Sequence, residues 1–230
     1  DGTTGDDVIR NVLVTITGTN DAPTVTAMTD VSSTVDEGDG ALAEDGSFNV
    51  EDVDLTDVVT VSNISVATSG DNGGVPADLM ALFTADLNNT IIADGATAGT
   101  VDWRFDSAAG DFDYLAHDES VTLTYTVTLT DDAVPPATVT QDITVTINGT
   151  NDRPEIASGA TLALSEQTNM TGAMGAANLL SGSGTLTLFD ADVTDTHVIT
   201  DELTSVVWAD GGVELAMPIP ATLLASLAGG

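Results

Sequence analysis

The stretch VTINGTNDRP, residues 145–154, decides how this chain is read. An alternating apolar and polar run ends in Gly149-Thr150-Asn151-Asp152, and Pro154 follows. Alternation with period two belongs to a half-buried strand, Gly and Asn-Asp belong to a turn, and proline blocks continuation of strand or helix. The same text stands earlier as VTITGTNDAP, residues 14–23, and agrees at eight of ten positions. The two glycines, Gly18 and Gly149, lie 131 residues apart. Each copy is therefore expected to be a seam between tandem β domains. Residues 1–18 would then be the last strand of a preceding repeat, 19–152 one complete repeat, and 153–230 the N-terminal part of the next.

Outward from the seams, the clearest strand is VTLTYTVTLT, residues 121–130. Its odd positions are apolar and its even positions are threonine, so one face is dry and one wet. TVTQDITVTI, leading into the second seam, directs Val139, Ile143, Val145 and Ile147 inward. GTVDWRF (99–105) adds a strand with Trp103 and Phe105, and PADLMALFTADL (76–87) has room for a helical turn. About seven short strands separated by turns indicate an all-β chain of antiparallel immunoglobulin-like sandwiches, one complete and one truncated. The expected core is Val25, Phe48, Val61, Ile64, Val66, Trp103, Phe105, Tyr114, Leu123, Tyr125, Val127, Ile143, Val145 and Ile147.

The net charge is −34, with three arginines, no lysine and 37 acids. Such a chain repels itself unless cations bind it. Nucleic acid and anionic membrane are poor partners, because both select basic surface. No stretch is long and apolar enough for a membrane helix, so membrane insertion is not expected. Cysteine is absent. A secreted chain without disulfides needs another staple, and carboxylate-bound Ca²⁺ is the obvious one.

The acids are arranged to supply it. Asp-x-Asp-x-x-Asp occurs as Asp52, Asp54 and Asp57 and again as Asp190, Asp192 and Asp195. Three carboxylates on one turn repel each other, and a hard divalent ion accepting six to eight oxygens relieves that repulsion. The spacing is not that of an EF-hand, and strands flank it rather than helices. Strand direction says which acids meet. Asn20, Asp21, Asp52, Asp54, Asp57 and Asp131 fall at the end of the complete repeat beside the first seam. Glu37, Asp118 and Glu119 fall at the opposite end, with Asn151 and Asp152 in the second seam and Asp190, Asp192 and Asp195 beyond it.

FDYLAHDESVTLTYTVTLTDD, the closing TVTQDITVTINGTNDRP and the turn DVDLTD together resemble the VCBS-type, cadherin-like repeats of large bacterial RTX-type surface adhesins. GTTGDDVIR (2–10) is similar to one nonapeptide of an RTX calcium roll, but a lone copy has no neighbour to stack on. The resemblance implies a cadherin-like sandwich in a tandem array, Ca²⁺ at the junctions, type I secretion to the cell surface, and adhesion or biofilm formation. It also implies a ligand set: Glu37, Asp118 with Glu119, Asn151 with Asp152, and Asp190 with Asp192. Asp113 competes with the pair Asp118 and Glu119 for its place in that set. The linker holds fewer acids than the animal cadherin linker, which leaves the number of ions open.

The function expected is that of a calcium-stiffened extender, with neighbouring repeats as partners and adhesive ligands bound elsewhere in the parent. Catalysis is not expected, since His117 and His197 are the only histidines and no aromatic cluster outlines a sugar cleft. The alternative is a carbohydrate- or ice-binding sandwich using Thr122, Thr124, Thr126, Thr128 and Thr130. Threonine has high strand propensity of its own, and the sequence displays only one long row.

Overall fold

The computed structural model describes residues 10–28, 30–38, 40–158, 183–200, 208–210 and 213–215. The chain divides into two compact units, Asp1–Thr194 and Asp195–Gly230.

The first unit is an immunoglobulin-like β-sandwich. Its strands are β1 (Thr24–Ala27), β2 (Ser32–Asp36), β3 (Ala43–Glu51), β4 (Val59–Gly70), β5 (Phe83–Thr84), β6 (Thr90–Ile92), β7 (Ala98–Asp106), β8 (Ser120–Thr130) and β9 (Thr138–Asn148). One sheet has the order β1-β3-β7-β5 and the other β2-β9-β8-β4-β6. The helical turn expected within residues 76–87 is a 3-10 turn, Leu79–Leu82, started by the Asp78 carboxylate, which accepts from the backbone N–H of Ala81. The unit also holds the small antiparallel pair of β10 (Glu155–Ser158) and β11 (Thr187–Phe189). In the second unit, β12 (Trp208–Asp210) pairs antiparallel with β13 (Val213–Leu215).

The N-terminal strand of the sandwich changes sheets partway. β1 pairs antiparallel with β3, then the chain crosses, and β2 pairs parallel with β9. The crossing is pinned by Trp103, whose indole N–H donates to the carbonyl of Asp30 at 2.7 Å. Position 46 must be glycine for this, because a Cβ there would come within 2.7 Å of the Trp103 ring.

Alternation builds the core as read. β8 buries Val121, Leu123, Tyr125, Val127 and Leu129, and its threonines stay half-exposed. Facing them lie Phe48, Val50, Val101, Trp103 and Phe105 from the other sheet. Phe83 stacks on Tyr125 with ring centroids 4.1 Å apart, and the Tyr125 hydroxyl donates to the carbonyl of Leu79 at 2.9 Å. Burying each such side chain stabilises the fold by about 1.5–3 kcal/mol. Val25, Ile64, Val66 and Tyr114 are half-buried and pack against this core. Phe112 and Leu115, from the β7–β8 loop, belong to the core although no periodicity announces them.

The wet faces of β8 and β9 lie in register. Thr122, Thr124, Thr128 and Thr130 stand opposite Thr146, Thr144, Thr140 and Thr138. The array is thus two rows wide where the sequence displays one. The segment 10–19 departs from expectation: it lies in no strand, and Val12, Leu13, Val14 and Ile16 are exposed. A strand exists only by pairing, and none of the described residues pairs with this one.

Candidate metal centres

At one end of the sandwich β3 finishes and the first linker enters. The carboxylate of Asp52 caps its own turn, Oδ1 accepting from the N–H of Asp54 at 3.0 Å. The N–H of Asp57 then donates to the carbonyl of Asp54 at 3.0 Å. The turn so closed brings carboxylate oxygens of Asp52, Asp54 and Asp57 within 4.8 Å of one another. Oxygens bind Ca²⁺ at about 2.3–2.6 Å, so ligands on opposite sides of one ion stand about 5 Å apart. The three fit a single ion.

Burial makes the cluster costly without one. Asp52 is 2% exposed and Asp57 8%. Oδ2 of each has no hydrogen-bond partner among the described residues. Burial, with the charges of Asp54, Asp131 and Asp52, raises the Asp57 carboxyl above the usual aspartate range. A buried charge lacking partners is strongly disfavoured.

The linker and the β8–β9 loop complete this end. The N–H of Asp21 donates to Oδ2 of Asp54 at 2.7 Å. Asn20 Nδ2 donates to Oδ2 of Asp131 at 3.1 Å. Asp131 is buried, and its Oδ1 accepts from the N–H groups of Ala133 and Ala137 at 3.2 and 2.9 Å. It shapes the loop and anchors the linker, and both its oxygens are engaged. Asp132 is a contributor the sequence reading passed over: its Oδ1 accepts from the N–H of Val58 at 2.9 Å and ties the acidic turn to the same loop.

At the opposite end Glu37, Asp113 and Asp152 bring carboxylate oxygens within 4.8 Å of one another. Glu37 is 4% exposed. Its Oε1 accepts from the N–H and the hydroxyl of Thr150, at 2.7 and 2.9 Å. Its Oε2 has no hydrogen-bond partner among the described residues. The second linker repeats the first: the N–H of Asp152 donates to Oδ2 of Asp192 at 2.7 Å, and the N–H of Asp192 to Oδ1 of Asp190 at 3.1 Å. Asp192 is buried.

Three expected residues stand elsewhere. Asp118 has φ +73° and an exposed side chain beside His117 Nδ1 at 3.2 Å, so it is Asp113 that joins Glu37. Asn151 turns back on its own linker, Nδ2 donating to the carbonyl of Asp152 at 2.7 Å. Asp195 is exposed and opens the second unit. Glu119 has a fastening role. Its Oε2 accepts from the N–H of Ala116 at 3.1 Å and its Oε1 from the hydroxyl of Thr194 at 2.8 Å. Residues 2–9 of the RTX-like nonapeptide (2–10) lie outside the described residues.

The donors at both ends are carboxylates, the hard oxygen set suited to Ca²⁺. No protein-family model matches the chain, and no curated protein matches it. Among solved structures it is similar to the ASH / PapD-like domain of human CEP192 (PapD-like domain 7). That likeness has 9% sequence identity and a TM-score of 0.37, and covers 64% of this chain and 98% of that one.

Proposed function

We propose that the chain is a spacer module of a bacterial surface adhesin, built of cadherin-like repeats and stiffened at its seams by Ca²⁺. The observation that carries this reading is the buried, unpartnered carboxylate oxygen at both ends of one sandwich: Glu37 Oε2 at one, Asp52 Oδ2 and Asp57 Oδ2 at the other. A bound ion gives these atoms the partner that folding withholds. Glu37, Asp113 and Asp152 would hold the ion at one end, and Asp52, Asp54 and Asp57 the ion at the other. What the ion supplies is linkage, since a ligand of the folded state stabilises that state in proportion to its occupancy.

The rest of the reading follows from the resemblance and the charge. The parent protein is exported, by type I secretion, into calcium-rich surroundings, where self-repulsion gives way to ion-bound order. The module does no chemistry. It holds a distal adhesive domain away from the cell and serves attachment or biofilm formation.

A thermal melt in EDTA, in millimolar Ca²⁺ and in millimolar Mg²⁺ tests it. An ion present at about 100 times its dissociation constant adds about 2.7 kcal/mol. At this chain length that is a rise on the order of 10 °C. A Ca²⁺-specific rise is expected. No rise, or the same rise with Mg²⁺, would mean that the acids are only screened.

A further inference from the structure

Asparagine stands before glycine at two places in the chain, Asn72-Gly73 and Asn148-Gly149. Such a pair has a chemistry of its own. Glycine has no Cβ to keep its backbone nitrogen away from the side-chain carbonyl before it. The fold treats the two pairs differently. Asn148 ends β9, half-buried, and its Nδ2 donates to Oδ1 of Asp36 at 3.0 Å. Its carbonyl accepts from the N–H of Glu37 at 2.8 Å, and the N–H of Gly149 donates to the carbonyl of Glu119 at 2.9 Å. The nitrogen that would attack is thus occupied, and the carbonyls of Ala116 and Leu115 crowd the glycine.

Asn72 and Gly73 lie in the loop after β4, and both are exposed. The N–H of Gly73 has no acceptor among the described residues. A Cβ built on Gly73 would meet nothing within 4 Å, so the space around this peptide is open. The Asn72 amide is held by one neutral bond, Nδ2 donating to the Thr68 hydroxyl at 3.2 Å.

We propose that Asn72 is a site of spontaneous deamidation, with water as co-reactant, and that the fold spares the seam asparagine, Asn148. The Gly73 nitrogen gives up its proton and bonds to Cγ of Asn72. The bond from Cγ to Nδ2 breaks, and that nitrogen leaves with the proton as ammonia. The cyclic imide left behind takes up one water at either carbonyl. Opening one way gives aspartate. Opening the other way gives isoaspartate, whose main chain runs through the former side chain and is longer by one methylene. In sum, one amide and one water become one carboxylic acid and one ammonia. The new carboxylate adds charge to a chain that already repels itself. The isoaspartate form also lengthens the backbone beside Asp71, whose Oδ2 and carbonyl tie this loop to Ser120 and Tyr114.

Incubation of the folded chain in ¹⁸O-labelled water, in millimolar Ca²⁺ at mildly alkaline pH, tests this by peptide mass mapping. Each converted asparagine carries the label in its new carboxylate. Asn72 should be converted at least about tenfold faster than Asn148, whose reaction waits on local opening. In guanidinium the two should convert at similar rates, since sequence alone then decides. Gly73→Ala, for which the loop has room, should slow conversion of Asn72 about tenfold by restoring the obstructing Cβ. Equal rates at Asn72 and Asn148 in the folded chain would overturn the proposal. So would conversion of Asn72 no faster than that of Asn89, which is exposed but precedes Thr90. An Asn148 that stays slow in guanidinium would show that the fold is not what spares it.

Discussion

The backbone N–H of Asp152 donates to Oδ2 of Asp192 at 2.7 Å, and the N–H of Asp21 donates to Oδ2 of Asp54 at the same 2.7 Å. The second aspartate of each Asp-x-Asp thus grips the linker aspartate before it, and the first caps the turn of the second. One device occurs at both seams. Asp190→Ala with Asp192→Ala is therefore expected to lower the Ca²⁺-dependent melting temperature and enlarge the radius of gyration. The control needs care. Asp71 is exposed, yet its Oδ2 accepts from the N–H of Ser120 at 3.0 Å and its carbonyl from the Tyr114 hydroxyl at 2.7 Å. Asp94 and Asp102, both exposed, are the matched pair to remove. Equal changes in scattering from the two double variants would refute a special role for the seam.

Asp57→Asn should act with opposite signs in two buffers. In EDTA the substitution removes one of several crowded buried charges, so the melting temperature should hold or rise. In Ca²⁺ it removes a ligand, so the calcium-dependent rise should shrink. Asp131→Ala differs, because both oxygens of Asp131 already accept hydrogen bonds. Stranding those donors costs on the order of 1–3 kcal/mol, and the loss should appear in EDTA and in Ca²⁺ alike. Melting each variant in both buffers separates ligand from loop anchor. Parallel shifts for Asp57→Asn in the two buffers would remove Asp57 from the ion site.

What the sequence showed and what it hid divide along physical lines. β8 and β9 were legible because one face is wet, so alternation carries their boundaries and their register. The acidic turn was legible because it occurs twice. Asp113 was harder to choose over Asp118, because both lie on the β7–β8 loop, where spacing does not fix direction. The choice falls to backbone shape: φ of +73° at Asp118 turns its side chain to solvent. The second row of threonines was present in the text, but only pairing makes two strings into an array. The segment 10–17 shows the converse, since a strand-like pattern forms no strand without a partner.

Acid should favour the metal-free fold over a limited range. The Asp57 carboxyl is held above its ordinary value by burial and by its acidic neighbours. A raised folded-state pKa means that the folded chain binds the proton more tightly than the unfolded one. That stabilisation is complete below the unfolded value and is lost as pH rises through the folded one. In EDTA, lowering the pH from neutral toward the raised Asp57 value should therefore raise the melting temperature. In Ca²⁺ the trend should reverse, because the proton competes with the ion for the same oxygens. A melting temperature that falls on mild acidification in EDTA would contradict the first half, and one that rises in Ca²⁺ the second.

The two copies of Gly-Thr-Asn-Asp should respond differently to one methyl group. At Gly149 an added Cβ would stand 2.3 Å from the carbonyl oxygen of Ala116 and 2.4 Å from that of Leu115. Neither is the end of a flexible side chain. The loop behind them is held by Phe112 and Leu115 in the core and by the N–H of Gly149 donating to the carbonyl of Glu119 at 2.9 Å. The strain cannot relax without moving the segment that delivers Asp113 to Glu37. Gly149→Ala should therefore cost about 1–3 kcal/mol, as overpacking does, and weaken the calcium response as well. Around Gly18 nothing lies within 4 Å of the same added atom, so Gly18→Ala should change stability by less than about 0.5 kcal/mol. Urea denaturation of the two variants, with and without Ca²⁺, decides it. Equal midpoints would mean that the second linker is not seated against the β7–β8 loop.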